Sequence, residues 1–198
     1  GLVRYWLGER SADERAGVHE KMMGFWHGHF TSSFTKSTSN YCWRQLRTFH
    51  RLALGNFAEL TKAMCVDGAM LQWLDGGGSR AEDPNENFAR ELMELFTMGR
   101  GNYTELDVRA AARATAGWSV NADEPAPVRS DAASLHDPVT FLGQTAVFTS
   151  DTVVDRILEQ PATAEHPRLR STGWHNQRRS CTGASHRNLA SNYGMGNR

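Results

Sequence analysis

Helix start and stop signals constrain the fold of this chain more than any other feature. The clearest set lies in "DPNENFARELMELFTMG", residues 83–99. Asp83 suits the N-cap of a helix, Pro84 suits its first turn, and Gly99 suits the residue that follows its end. Between these signals, apolar side chains recur at helical spacing, at Phe88, Leu92, Leu95 and Phe96. The sequence therefore predicts one α-helix over residues 84–98.

The same signals recur along most of the chain. Asn56, Asp67 and Thr104 each precede a helical pattern as N-cap candidates, and Gly117 follows one. Helical patterns also cover residues 13–27, 41–54, 56–66, 104–117 and 150–160. We therefore predict a mainly α fold, a multi-helix bundle-like domain with at most one small β-hairpin near residues 139–149.

Composition is that of a soluble globular protein and says little about a ligand. Apolar residues make up 39% of the chain, charged residues 22%, and the formal net charge is zero. This balance gives no specific nucleic-acid signal, and no apolar run is long enough for a transmembrane segment. The three cysteines form no C-x-x-C pair, which argues against a zinc ribbon or a disulfide framework.

Several stretches together resemble one bacterial family. They are "EKMMGFWHGHF", "LALGNFAELTKAMCVDGAMLQWLD", "PNENFARELMELFTMGRGNYTELDVRAAARATAGW", and "HDPVTFLGQT" followed by "ILEQPATAE". In this order they are similar to the domain-of-unknown-function family 1800, over about residues 1–165. The resemblance implies a partial helical domain of a longer protein that is exported to the periplasm or beyond the cell. It implies no catalytic residues, because the family has no settled activity.

The last part of the chain differs from the rest. Residues 166–198 contain six of the 22 basic residues and no acidic one, which leaves 16 basic and 22 acidic residues in 1–165. Only eight of these 33 residues are apolar, with no helical or strand period. A segment of this kind cannot bury enough apolar surface to offset its ordering entropy. Two interpretations stay open: a disordered basic tail, or a frameshift product, which the abrupt loss of the family resemblance favours.

The stretch "FWHGHF" raises the question of a metal site at His27 and His29. Two residues apart on an α-helix, side chains differ in direction by roughly 200° and cannot share one metal. The pattern predicts that Gly28 follows the end of helix 13–27, where it can turn the chain and bring the two histidines together. The alternative is that His27 interacts with the last helical carbonyls and His29 forms an ordinary hydrogen bond.

The predicted helix 84–98 carries several charged residues outside its apolar face. Glu86, Arg90 and Glu94 are spaced as an exposed ion-pair stripe, worth a few tenths of a kcal/mol per pair. Glu91 borders the apolar face, so Glu91 and Glu94 need an arginine or a metal if another segment covers them. Arg109 and Arg113 are the candidate partners for these two carboxylates.

A wider metal site is the second hypothesis for this region. His136 and Asp137 add a histidine and a carboxylate to the histidines and glutamates above. Such a ligand set suits a divalent zinc, iron or manganese ion. The full candidate set is His27, His29, Glu91, Glu94, His136 and Asp137.

Two functions follow from these observations. The first is a fragment of an exported helical protein that serves as a cell-envelope binding or structural module, with an unidentified envelope partner or polymer. The second is a metal-dependent enzyme, a hydrolase or an oxidoreductase, with the His/carboxylate site.

Overall fold

A computed structural model describes residues 17–121 and 124–166 of the chain. The prediction of a mainly α fold is confirmed, because helices form most of the described part and the strands are only two or three residues long. The predicted start of the first helix, at residues 13–16, lies outside the described residues. The tail prediction, except for residue 166, lies outside them as well.

The elements follow one another with short connections. The helices are α1 (Val18–His29), α2 (Ser39–Leu52), α3 (Phe57–Cys65), α4 (Gly68–Trp73), α5 (Glu86–Glu91), α6 (Glu105–Thr115) and α7 (Ser150–Leu158). A π-helical turn, Leu92–Thr97, continues α5, and a 3₁₀ turn covers Asp131–Ala133. The strands are β1 (Trp118–Ser119), β2 (Val128–Arg129), β3 (Val139–Phe141) and β4 (Gln144–Ala146).

Side-chain caps fix the starts of five described helices, among them α3, α4, α6 and α7. Asn56 accepts a hydrogen bond from the Ala58 amide at the start of α3, and Asp67 accepts one from Met70 in α4. Thr104 and Thr149 form capping boxes at the starts of α6 and α7. Each cap satisfies backbone N–H groups that have no partner inside the helix. The three caps predicted at Asn56, Asp67 and Thr104 are therefore confirmed.

The helix predicted over residues 84–98 differs from the prediction in two ways. Its N-cap is Asn85 and not Asp83, because the Asn85 side chain accepts from the Asn87 amide and donates to the Asp75 carbonyl. Its second half is the π-helical turn, in which backbone bonds span five residues, so that Met98 N–H donates to the Met93 carbonyl at 2.8 Å. Such turns occur frequently at functional sites.

Gly28 lies inside α1 and does not turn the chain. The helix continues to His29, and the residue that caps its end is Phe30. The prediction that the helix ends at His27 is therefore wrong. The Phe30 amide still donates to the Trp26 carbonyl at 2.8 Å, which keeps the last turn helical through both histidines.

Two antiparallel hairpins accompany the helices. Strands β3 and β4 pair Val139 with Ala146, at the position where one hairpin was predicted. Strands β1 and β2 form a second one, with Trp118 opposite Arg129. This second pairing covers two residues on each strand and has no strand pattern in the sequence, so the limit of one hairpin was too low.

One apolar core joins the helices and the hairpin of β3 and β4. Its largest fully buried side chains include Phe30, directly after α1, and the following residues of α2, the π-helical turn, β3 and α7: Phe49, Leu92, Met93, Phe141 and Ile157. The rings of Phe30, at the C-terminal end of α1, and Phe49 of α2 are stacked there, with 6.5 Å between ring centroids. Among the described helices, none is both long and apolar enough to cross a membrane.

Candidate functional site

The two histidines of "FWHGHF" face different surroundings because both lie in one helix. His29 is buried, and its Nε2 donates to the Phe96 carbonyl at 2.8 Å, in the π-helical turn. A ring nitrogen that holds its proton for this bond cannot bind a metal at the same time. His27 packs edge-on against Phe49 with ring centroids 5.9 Å apart, and burial lowers the pKa of its imidazole.

The carboxylates Glu91 and Glu94 lie at the junction of α5 and the π-helical turn. Glu94 accepts hydrogen bonds from Arg100 and, at 3.1 Å, from the Tyr103 hydroxyl. The bond from Arg100 holds the pKa of Glu94 below its ordinary value. Oε2 of Glu91 is buried and accepts no hydrogen bond from a described residue. Burial, together with the nearby Glu94 charge, raises the pKa of Glu91.

His136 and Asp137 lie in an exposed segment after the 3₁₀ turn. His136 Nε2 donates to the Asp131 carbonyl at 2.8 Å, and 60% of the side chain is exposed. Asp137 is also exposed. Neither residue contacts His29 or Glu91 through any hydrogen bond or ion pair between described residues.

The six candidate ligands therefore do not form one group in the described part of the chain. Across residues 17–121 and 124–166, no set of three or more His, Cys, Asp or Glu side chains is placed to hold a metal ion. Helical spacing separates His27 from His29, and the Nε2 atoms of His29 and His136 donate to the backbone carbonyls of Phe96 and Asp131. The metal-site hypothesis gains no support from these positions and stays a prediction.

A network of ion pairs joins α5 to α6. Arg90 donates to both carboxylate oxygens of Glu105 at 2.8 Å and to Glu86 at 3.2 Å. Arg109 pairs with the other oxygen of Glu86 at 3.3 Å. We call these four residues the paired face. The predicted partners of Arg109 and Arg113 were wrong, because Arg109 reaches Glu86 and Arg113 donates to the Ala81 carbonyl.

The outer side of α2 carries charge in a different way. Arg44, Arg47, His50 and Arg51 are all exposed and line a cavity of about 410 Å³ together with Thr48. We call the four basic residues the basic face. The helix contains no Asp or Glu in its sequence, SNYCWRQLRTFHRL. At 1.5 Å of rise per residue, Arg44 and Arg51 lie about 10 Å apart along the helix axis.

The three arginines of the basic face have no ion pair with a described residue. Every ion pair between described residues involves other cations. Arg44 and Arg47 are three residues apart and Arg47 and Arg51 four apart, so they repel one another on the helix surface. This feature was not predicted, although the sequence shows basic residues at helical spacing with no acidic residue among them.

An apolar groove lies directly beside the basic face. Its volume is about 310 Å³, and it is lined by Met23 of α1 and by Trp43, Leu46, Arg47 and His50 of α2. Met23 and Leu46 are buried at 3% and 5% exposure and form its floor, while Trp43 is 44% exposed. Arg47 and His50 line both cavities, so the groove and the basic face are continuous.

The inner side of α2 holds the helix to α4 through a buried polar network. The Gln45 amide donates to Oδ1 of Asp67 at 2.8 Å and accepts from the Ser32 hydroxyl at 2.7 Å. The same Asp67 oxygen accepts from the Met70 amide at 3.0 Å. Burial raises the pKa of Asp67 to about 6. These bonds fix the rotation of α2 and therefore the direction in which its basic face points.

Comparison with known proteins gives a family and no activity. Neither the curated proteins nor the solved structures contain a significant match to this chain. The family model described as "Protein of unknown function (DUF1800)" matches residues 2–167. This match covers most of the 198 residues and every described helix. The chain therefore belongs to the DUF1800 family, as the resemblance predicted.

Proposed function

We propose that this chain is a binding module that recognises an anionic partner through the basic face of α2. The observation that carries the proposal is the set of three exposed arginines, Arg44, Arg47 and Arg51, that have no ion pair with a described residue. Arginine presents a planar fork of donors that matches carboxylate and phosphate groups.

The energetic cost of the basic face supports a role in binding. Like charges three or four residues apart destabilise a helix by about 0.2–0.5 kcal/mol per pair. A sequence that served stability alone would place an acidic residue among them, as α5 and α6 do with Glu86 and Glu105 around Arg90. An anionic partner removes this repulsion when it binds.

The place of action follows from the family resemblance. We propose that the module works in the bacterial cell envelope, in the periplasm or outside the cell, where the anionic partner is a protein or a polymer. The alternative of a metal-dependent enzyme stays a prediction, because no described residues group around a metal position.

Binding of a simple polyanion tests the proposal. Labelled poly-L-glutamate is titrated with the whole chain at low and at physiological salt, and fluorescence anisotropy is measured. We expect binding that weakens as salt rises, because screening reduces the attraction of exposed charges. The variant Arg44→Ser/Arg47→Ser/Arg51→Ser is expected to bind about tenfold more weakly, because each exposed contact is worth about 0.2–1 kcal/mol.

A second triple variant separates the basic face from net charge. Arg80→Ser/Arg100→Ser/Arg109→Ser removes the same charge from exposed positions outside α2. We expect it to bind poly-L-glutamate within about twofold of the wild type, because its substituted residues lie outside the proposed surface. Equal losses in the two variants would show that only net charge matters and would contradict the proposed surface.

A further inference from the structure

We infer that the apolar groove beside the basic face receives an apolar side chain of an acidic peptide segment in a partner protein, while carboxylates of that segment contact the arginines. This inference rests on the proposed function and adds the chemical class of the partner. Its starting point is the continuity of the two cavities, which share Arg47 and His50.

The lining of the groove selects an apolar group as its occupant. Met23 and Leu46 form the floor and Trp43 forms an exposed wall, with polar groups only where the groove meets the basic face. A sugar ring or a phosphate would lose hydrogen bonds to water here and regain few from these side chains. The carbon surface of a leucine, phenylalanine or tryptophan side chain forms no hydrogen bonds with water that burial would break. Each of these side chains also fits a volume of about 310 Å³.

The residue types around the groove are those of protein–protein interfaces. Trp, Met and Arg are enriched in the cores of such interfaces, and Trp and Arg are prominent among the residues that dominate binding energy. Met23, Trp43 and Arg47 meet within one groove. Methionine also adapts its shape to different apolar partners. This combination favours a peptide segment over an inorganic polyanion or a nucleic acid.

Charge complementarity selects an acidic segment among peptides. An apolar side chain in the groove places neighbouring residues of the peptide beside Arg47, and further ones beside Arg44 and Arg51. The three arginines extend over about 10 Å of the helix axis. A peptide in extended conformation covers this length with about three residues, at roughly 3.3 Å each. A segment with two or three carboxylates next to one apolar anchor therefore matches the surface.

Two synthetic peptides test the inference. Both carry four glutamates, one has a phenylalanine at its centre, and the other has serine in that place. We expect the whole chain to bind the phenylalanine peptide roughly tenfold more tightly in calorimetric titration. The variant Trp43→Ala is expected to remove this preference and to keep the binding of the serine peptide. Leu106→Ala serves as the matched control, because Leu106 is 72% exposed on α6, away from the groove.

The outcomes separate this inference from the proposed function. Equal binding of the two peptides, or a preference that survives Trp43→Ala, would overturn the groove inference while a loss in the triple arginine variant still supports the proposed function. No loss in the arginine variant would overturn the proposed function itself.

Two other occupants would also overturn the inference. Self-association in sedimentation that Trp43→Ala abolishes would assign the groove to a second copy of the chain. Peptide binding seen only after Glu9→Gln/Asp13→Asn/Glu14→Gln would assign it to the chain's own first residues.

Discussion

On the paired face Arg90 contacts two glutamates, whereas on the basic face Arg44, Arg47 and Arg51 contact no carboxylate among the described residues. Both sets lie on helices at spacings of three or four residues. The first set joins α5 to α6, and its charges serve the fold. The second set faces outward from a helix that its inner side already holds in place, and we propose that its charges serve a ligand.

The largest expected effect concerns Asp67, the buried carboxyl that holds the inner side of α2. It tests whether the charged form of this carboxyl destabilises the fold. Burial raises the pKa of Asp67 to about 6 from an ordinary value of 3.8, so the folded chain binds this proton more tightly than the unfolded chain. Asp67 therefore stabilises the fold most at low pH, and this contribution is lost as the pH rises through about 6. The Asp67→Asn variant does not lose this stability as the pH rises, because an asparagine side chain does not titrate. Relative to the wild type, its free energy of unfolding is expected to rise by about 2 kcal/mol between pH 4 and pH 7.

Urea denaturation across this pH range measures the difference. The Glu124→Gln variant is the control, because it removes a carboxylate from an exposed position. A constant difference between Asp67→Asn and the wild type at all pH values would mean that Asp67 titrates normally. The inner side of α2 would then tolerate the charged form of Asp67 as well as the neutral form.

A smaller effect tests the paired and basic faces directly. Arg90→Met removes three hydrogen bonds to Glu86 and Glu105 and keeps an apolar stem. We expect the free energy of unfolding to fall by about 1 kcal/mol, mainly from the contact between Arg90 and Glu86, which are both about one-third exposed. Solvent screens the contact with the exposed Glu105. Arg47→Met removes a cation that has no ion pair with a described residue. It is expected to change the unfolding free energy by less than about 0.5 kcal/mol.

Both variants are compared by urea denaturation at neutral pH and moderate salt. Similar losses in Arg90→Met and Arg47→Met would show that Arg47 has a stabilising partner in the folded chain. The distinction between the two faces would then fail, and the surface proposed for binding would lose its main support.

The smallest effect concerns α1, which supplies Met23 to the groove. Gly28 lies inside this helix, and a Cβ added there meets no atom within 4 Å. Gly28→Ala is therefore expected to stabilise the fold by about 0.5–1 kcal/mol, because glycine is a poor helix former. A thermal unfolding curve measures this gain. A loss of stability would instead mean that Gly28 turns the chain after His27, as the sequence pattern first suggested.

Much of the fold was predictable because its signals are local. The caps at Asn56, Asp67 and Thr104 need only a side chain and amides two or three residues ahead. The cap predicted at Asp83 was wrong because its signal is not local. Asn85 takes the N-cap position, and its side chain also donates to the carbonyl of Asp75, ten residues away along the chain. The π-helical turn was not predicted, because residues 92–97 follow an ordinary helical period in the sequence.

The candidate site shows the same division between local and distant information. Helical spacing alone established that His27 and His29 cannot share a metal within one helix. Helical spacing could not show that His29 Nε2 donates a hydrogen bond to the Phe96 carbonyl, 67 residues away in the sequence. The arginines of α2 are visible in the sequence as a basic stripe. Whether a carboxylate of another described helix pairs with them depends on how the helices pack.

The sequence by itself determined a mainly helical chain of the DUF1800 family, with helix starts set by local capping side chains. Only the tertiary structure decided which charges are paired, which histidine is buried, and where Met23 meets Trp43 to form a groove. The physical reason is range. Caps and helical periods act over three or four residues, whereas ion pairs and grooves depend on segments that packing brings together from distant positions.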